Sequence, residues 1–252
     1  MNGIENFCGV AKSKLVKLCR IMYTKKYDLI FGIGGACSCS TLLRNRQLQN
    51  FSYPFDWVSH QYFKGSIDIL GNKFKNFIEY EDLEYICSPL EHDIYRNKSN
   101  NMLFNHDFPK NYDKNRKESF LLVKEKYDRR INRLLTKISE SKRVLMVYLE
   151  IVRLQEEEKE REINSDEFIV NSYQKIISAY NFKNSPLCRL FGRTMDLLYI
   201  GYDPYIPPKK IIKKQLCDGL TRMTINYKLD DLHHNSVDFS MLHKVLRNFS
   251  IG

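Results

Sequence analysis

The stretch YDLIFGIGGACSCSTLLRNRQLQNFSYPFDW, Tyr27–Trp57, sets the expectation for the whole chain. Tyr27–Phe31 is short, apolar and rich in β-formers, which predicts a buried strand. Gly32, Gly34 and Gly35 then form a turn, since glycine enters the positive-φ conformations that reverse a chain tightly. A helix follows to about Arg46. Pro54 keeps a regular helix out of Phe51–Trp57, which reads as a loop or a short extended segment.

This layout puts Cys37 where a helix begins. The unpaired N–H groups and positive dipole end of a helix N-terminus favour an anion, so the thiol is expected to ionise below its free value of about 8.5 and act as a nucleophile. The same N–H groups are candidate oxyanion donors, and Ser38 and Ser40 are candidate caps. The competing reading is a tight strand–helix turn in which Cys37 only packs. Phosphate cradling is disfavoured: the dinucleotide fingerprint needs glycine where Cys37 stands, and the P-loop lysine is absent.

Outward from the junction, apolar positions Ile4, Phe7, Ala11, Leu15, Cys19 and Met22 predict an amphipathic helix over residues 3–25. A second helix is expected over about Lys117–Ser139, followed by a strand at Val144–Leu149. Asn164 with Glu167 resembles a capping pair opening a helix to about Tyr180. Met195–Ile200 and Thr221–Tyr227 read as strands with a stiff proline-bearing loop between them, and a last helix covers about Val237–Phe249. Strands alternating with helices predict a layered α/β fold: a mainly parallel central sheet flanked by helices, with the nucleophile at a strand–turn–helix junction. One domain over residues 1–252 is expected, loop-rich at about 58–116 and with a charged excursion at about 153–166.

Composition narrows the function classes. The chain has 252 residues, 43% of them hydrophobic, with 15 Phe and 16 Tyr, so core material is plentiful. No run approaches the roughly 18–20 apolar residues of a membrane span, and the opening residues lack the pattern of a secretory signal. The expectation is a cytoplasmic protein. Its 7 cysteines are an odd number without zinc-ribbon spacing, consistent with free thiols and with no metal or other cofactor. The net charge of +10 invites a nucleic-acid reading, but the lysine clusters near both ends carry no recognition motif.

The segment GIGGACSCSTLLRNRQLQNFSYPFDWV resembles the opening signature of the putative papain-like cysteine peptidases of bacteria and viruses. That signature is a small-residue turn, a cysteine, a Leu-Arg pair and then Ser-x-Pro-Phe-Asp-Trp, here Cys37, Leu43, Arg44, Ser52, Pro54, Phe55, Asp56 and Trp57. Asn105-His106-Asp107-Phe108 resembles the family's His-Asp-Phe element, and Tyr127, Arg129 and Arg130 ahead of the strand at Val144 its next block. The similarity covers about residues 27–150. It implies a cysteine-dependent hydrolase acting on a peptide, acyl or glycan-linked substrate, with Cys37 as nucleophile, His106 as general base and Asp56 or Asp107 orienting the imidazole. Asp56 has a structural alternative, capping the backbone after Pro54. Cys39 is either a bystander or a resolving thiol.

A second imidazole competes. Asp230-Asp231-Leu232-His233 ahead of the last helix resembles the final block of the SGNH-type esterases, in which frame Asp230 orients His233 as the base. The serine block of those enzymes is missing, so this likeness is partial. The other function class is a non-catalytic α/β protein, linked to surface-polysaccharide assembly, whose glycine turn holds a sugar or phosphate ligand.

Overall fold

The runs LIFG, RVLMVYL and TMDLLYIGY are apolar on both sides of the pleat, the pattern of strands covered on both faces. They form the centre of the molecule. The structure, a computed structural model, describes residues 24–35, 37–59, 62–89, 91–110, 116–150, 164–203, 205–207, 209–226 and 239–252. In chain order the elements are β1 (Lys25–Tyr27), β2 (Leu29–Gly32), α1 (Cys37–Asn45), β3 (Val58–Ser59), α2 (Phe63–Gly71), β4 (Leu83–Cys87), β5 (His92–Asn97), β6 (Leu103–Pro109), α3 (Arg116–Glu140) and β7 (Arg143–Leu149). After them come α4 (Asp166–Ala179), α5 (Pro186–Phe191), β8 (Thr194–Tyr202), β9 (Ile211–Cys217), β10 (Leu220–Ile225), α6 (Phe239–Leu246) and β11 (Phe249–Ile251).

A five-stranded sheet has the order β2-β7-β8-β10-β9. Its first four strands pair in parallel, and β9 closes the far edge antiparallel to β10. A four-stranded antiparallel sheet, β3-β6-β5-β4, is carried inside the connection between β2 and β7. β1 pairs with β11 in a separate two-stranded ribbon. The molecule is therefore α/β with several sheets rather than one: the central sheet is mixed, with an antiparallel edge strand, the inserted sheet is antiparallel and the ribbon is parallel. Residues 58–116, expected to be loop-rich, supply the whole second sheet. The lysine-rich segment before Leu220, for which no strand was expected, supplies β9, an edge strand whose exposed Lys213 and Lys214 discourage pairing with another chain.

Two apolar layers hold the central sheet. On one face Phe31, Ile33, Met146, Tyr148, Leu197 and Tyr199 pack with α2, α3, α4 and the antiparallel sheet. On the other, Ile30, Leu145, Val147, Leu149, Leu198 and Ile200 meet Cys39, Leu42 and Leu43 of α1 and Leu242, Val245 and Leu246 of α6. Each such side chain, fully buried, contributes about 1.5–3 kcal/mol, so α1 is anchored along its length by its inner stripe.

Other expectations shift at their edges. The predicted strand Tyr27–Phe31 divides at Asp28, whose carboxylate accepts the N–H groups of Lys142 and Arg143, both at 2.8 Å. Ser165, not Asn164, caps α4, its Oγ accepting the Phe168 N–H at 3.2 Å. The N-terminal helix expected over residues 3–25 and the charged excursion at about 153–166 lie largely outside the described residues, and Lys25, the last residue of the former, opens a strand. Among the described residues no helix is long and apolar enough to cross a membrane.

Candidate active site

Ile33 still donates its N–H to the Val147 carbonyl at 2.9 Å, so the chain leaves the sheet at the carboxyl edge of β2. It turns through Gly34 and Gly35 at φ +128° and +84°, where L side chains are strained. Cys37 opens α1 immediately after this turn.

The Cys37 thiol is half-buried. The N–H groups of Cys37 and Ser38 favour its ionisation, as a helix start should, but burial is the larger effect and the pKa lies above the ordinary thiol value. The expected lowering is thus overturned: desolvation outweighs the amides, and the resting sulfur carries its proton. The Cys37 carbonyl is held by its own helix, accepting from Thr41 Oγ1 at 3.0 Å. Ser40 Oγ lies 2.9 Å from that carbonyl and 2.8 Å from the Asp56 carbonyl, with one proton to donate to either.

Cys39 faces the other way. It is buried against the sheet, its Sγ donating to the Val147 carbonyl at 3.5 Å. Burial, reinforced by the negative charge of Asp56, pushes its thiol up to about 12.

The Pro-Phe-Asp-Trp segment is bound to α1 through Asp56. Its Oδ2 accepts from the Tyr53 N–H at 2.8 Å, from Gln49 Nε2 at 2.6 Å and from Arg44 at 3.2 Å. Burial raises its carboxyl pKa, and these three donors oppose the rise. The backbone bond from Tyr53 is a cap on the Pro54 turn. Arg44 continues outward, donating to Ser52 Oγ at 2.9 Å and lying 5.6 Å from the centre of the Trp57 ring.

His106 is exposed on β6, its ring centroid 6.3 Å from that of Trp57 and 6.4 Å from that of His92. Asp107, the next residue on the strand, points to the opposite side and accepts from Tyr127 Oη and Lys126 Nζ, both at 2.5 Å. It also borders a cleft of about 380 Å³ between β6 and α3, lined by Lys126 and Arg129 but not by Cys37. Among the described residues no histidine hydrogen-bonds the Cys37 thiol or the Asp56 carboxylate. Asp230 and His233 lie outside the described residues.

One carboxylate at the same sheet edge escaped sequence reading. Glu150 follows β7, is buried, and accepts from Tyr199 Oη at 3.0 Å, the Tyr202 N–H at 3.1 Å and Asn164 Nδ2 at 3.3 Å. A lone acidic residue directly after the apolar run VLMVYL was the available signal.

A thiol at the first turn of a helix, beyond the carboxyl end of a strand and beside the backbone N–H groups of Cys37 and Ser38, is an arrangement suited to acyl-transfer chemistry. The chain belongs to the family described as putative papain-like cysteine peptidase, which matches residues 28–176, from β2 into α4. An uncharacterized protein of Acanthamoeba polyphaga mimivirus is 27% identical over 135 residues, 47% of this chain and 60% of that protein, so the match spans less than two thirds of this relative. No solved structure matches the chain.

Proposed function

We propose that the chain is a cysteine-dependent hydrolase that cleaves an amide or ester through a thioester on Cys37. The observation that carries this reading is the position of Cys37 in the first turn of α1, with its own N–H and that of Ser38 acting on the sulfur.

The resting thiol is protonated, so a base must remove its proton as substrate binds. We assign that base to His106, which shares the Trp57–Arg44 assembly with α1. The thiolate then adds to the substrate carbonyl carbon, forming the C–S bond and an oxyanion stabilised by the N–H groups of the turn. The C–N or C–O bond breaks as the imidazolium returns its proton to the leaving group. Water, deprotonated by the same imidazole, attacks the thioester, the C–S bond breaks, and a carboxylic acid leaves. Asp56 acts here as the clamp that fixes the Pro-Phe-Asp-Trp turn on α1. His233 with Asp230 is the competing base pair.

The test is acylation by p-nitrophenyl acetate followed by peptide mapping. Acetyl on Cys37, lost in Cys37→Ala, supports the reading, and equal acylation of Cys37→Ala refutes it. His106→Ala and His233→Ala, compared at single turnover, separate the two bases. A second reading draws on the raised thiol pKa, which suits a non-catalytic thiol: the glycine turn would hold a sugar or phosphate ligand, and Cys37→Ser would leave its binding intact.

A further inference from the structure

Ser66, in the first turn of α2, is fully buried, yet its Oγ has no hydrogen-bond partner among the described residues. The hydroxyl is aimed at the turn that precedes the nucleophile. A Cβ built on Gly34 would lie 2.6 Å from Ser66 Oγ but 3.7 Å from Ser66 Cβ, so the oxygen is the near atom. Helical serines ordinarily spend such a proton on a carbonyl one turn back. Ser66 does not.

Gly34 and Gly35 both have positive φ and no side chains, so the peptide between them can rotate more freely than any other in the junction. A peptide plane is rigid, and turning its carbonyl one way turns the following N–H the other. We propose that Ser66 is a positioning residue for the proposed cysteine hydrolase site. When a substrate carbonyl binds against Cys37, the Gly34–Gly35 peptide turns its own carbonyl to accept a hydrogen bond from the Ser66 hydroxyl. The Gly35 N–H then faces the oxygen of the tetrahedral intermediate. Among the described residues the buried hydroxyl is unpartnered in the resting state because its partner is supplied in the acylating one. No bond to Ser66 is made or broken.

The inference rests on Cys37 acting as an acyl carrier, and its test separates the two. Wild type, Ser66→Ala and Cys37→Ala are treated with p-nitrophenyl acetate, whose addition passes through an oxyanion, and with iodoacetamide, whose displacement of iodide does not. Ser66→Ala is expected to acylate Cys37 about 10- to 100-fold more slowly than wild type, while Cys37 alkylation keeps its wild-type rate and pH profile. Ser66→Cys, which restores a weak donor, is expected to recover part of the acylation rate. Equal acylation of wild type and Ser66→Ala overturns the inference and leaves the hydrolase reading intact. Parallel loss of acylation and alkylation also overturns it, since that marks a general disturbance of the turn. Equal acylation of wild type and Cys37→Ala removes the hydrolase reading and this one with it.

Discussion

Arg44 of α1 and Asp56 of the Pro-Phe-Asp-Trp turn meet at 3.2 Å, the carboxylate fully buried and the guanidinium about a third exposed. The helix that begins with the candidate nucleophile is thereby fastened, two turns on, to the most distinctive motif in the sequence. Removing the carboxylate leaves the Tyr53 N–H, Gln49 and Arg44 without their shared acceptor. Asp56→Ala is expected to cost about 2–4 kcal/mol, the partial exposure of Arg44 keeping the loss below that of a fully buried broken pair. Urea denaturation measures it, and a cost below about 0.5 kcal/mol would contradict the clamp.

Asp56 also sets a pH dependence. Burial raises its pKa in the folded chain, so the native state holds a proton that the unfolded chain has already lost. Stability from this group is therefore fully present below the ordinary aspartate pKa and falls as pH rises to the native value. Asp56→Asn should flatten that part of the stability–pH curve. A curve for Asp56→Asn that parallels wild type across the acid range would refute the assignment.

The two neighbouring thiols should differ sharply in reactivity. With its pKa raised, Cys37 is expected to alkylate slowly at neutral pH, its iodoacetamide rate still climbing above about pH 8.5. Cys39, buried and pushed up to about 12, should stay unmodified until the protein unfolds. Mass-spectrometric mapping of alkylated peptides reads both. A Cys37 rate that reaches its plateau below neutrality would mean a thiolate in the resting protein.

Two glycines give an internal control. Gly34→Ala demands a positive-φ alanine and sets its Cβ 2.6 Å from Ser66 Oγ, so a loss of about 1–3 kcal/mol is expected. Gly71→Ala, at the end of α2, meets only Ile176 Cδ1 at 3.5 Å and should be neutral or stabilising by up to about 1 kcal/mol. Thermal melts that rank the two the other way would contradict the turn geometry.

The strand–turn–helix junction was legible because all its signals are local: an apolar run, three glycines and a helical pattern within about twenty residues. The antiparallel sheet was not. In β5 the inward positions are Asp93, Tyr95 and Asn97, so polar residues break the alternation that marks a half-buried strand. Asn97 is tolerated inside because its side chain closes a turn, accepting the Ser99 N–H at 2.9 Å and donating to the Phe77 carbonyl at 3.1 Å. The raised pKa of Cys37 was equally hidden, since a helix start can be recognised in sequence but the carbon packed around a sulfur cannot. Asp56 read two ways because its donors, Arg44 of α1 with Gln49 and Tyr53, converge on it only after the chain has turned.

The pairing of β2 with β7 joins Leu29 to Val144. More than a hundred residues, including an entire second sheet, must be synthesised and gathered before that contact closes. Contacts between such distant partners come at a high entropic cost and late in folding. The sulfur-bearing bend therefore takes its final form only after the inserted sheet has been made, so a nascent chain halted within that insert would hold the thiol without the architecture that gives it a purpose.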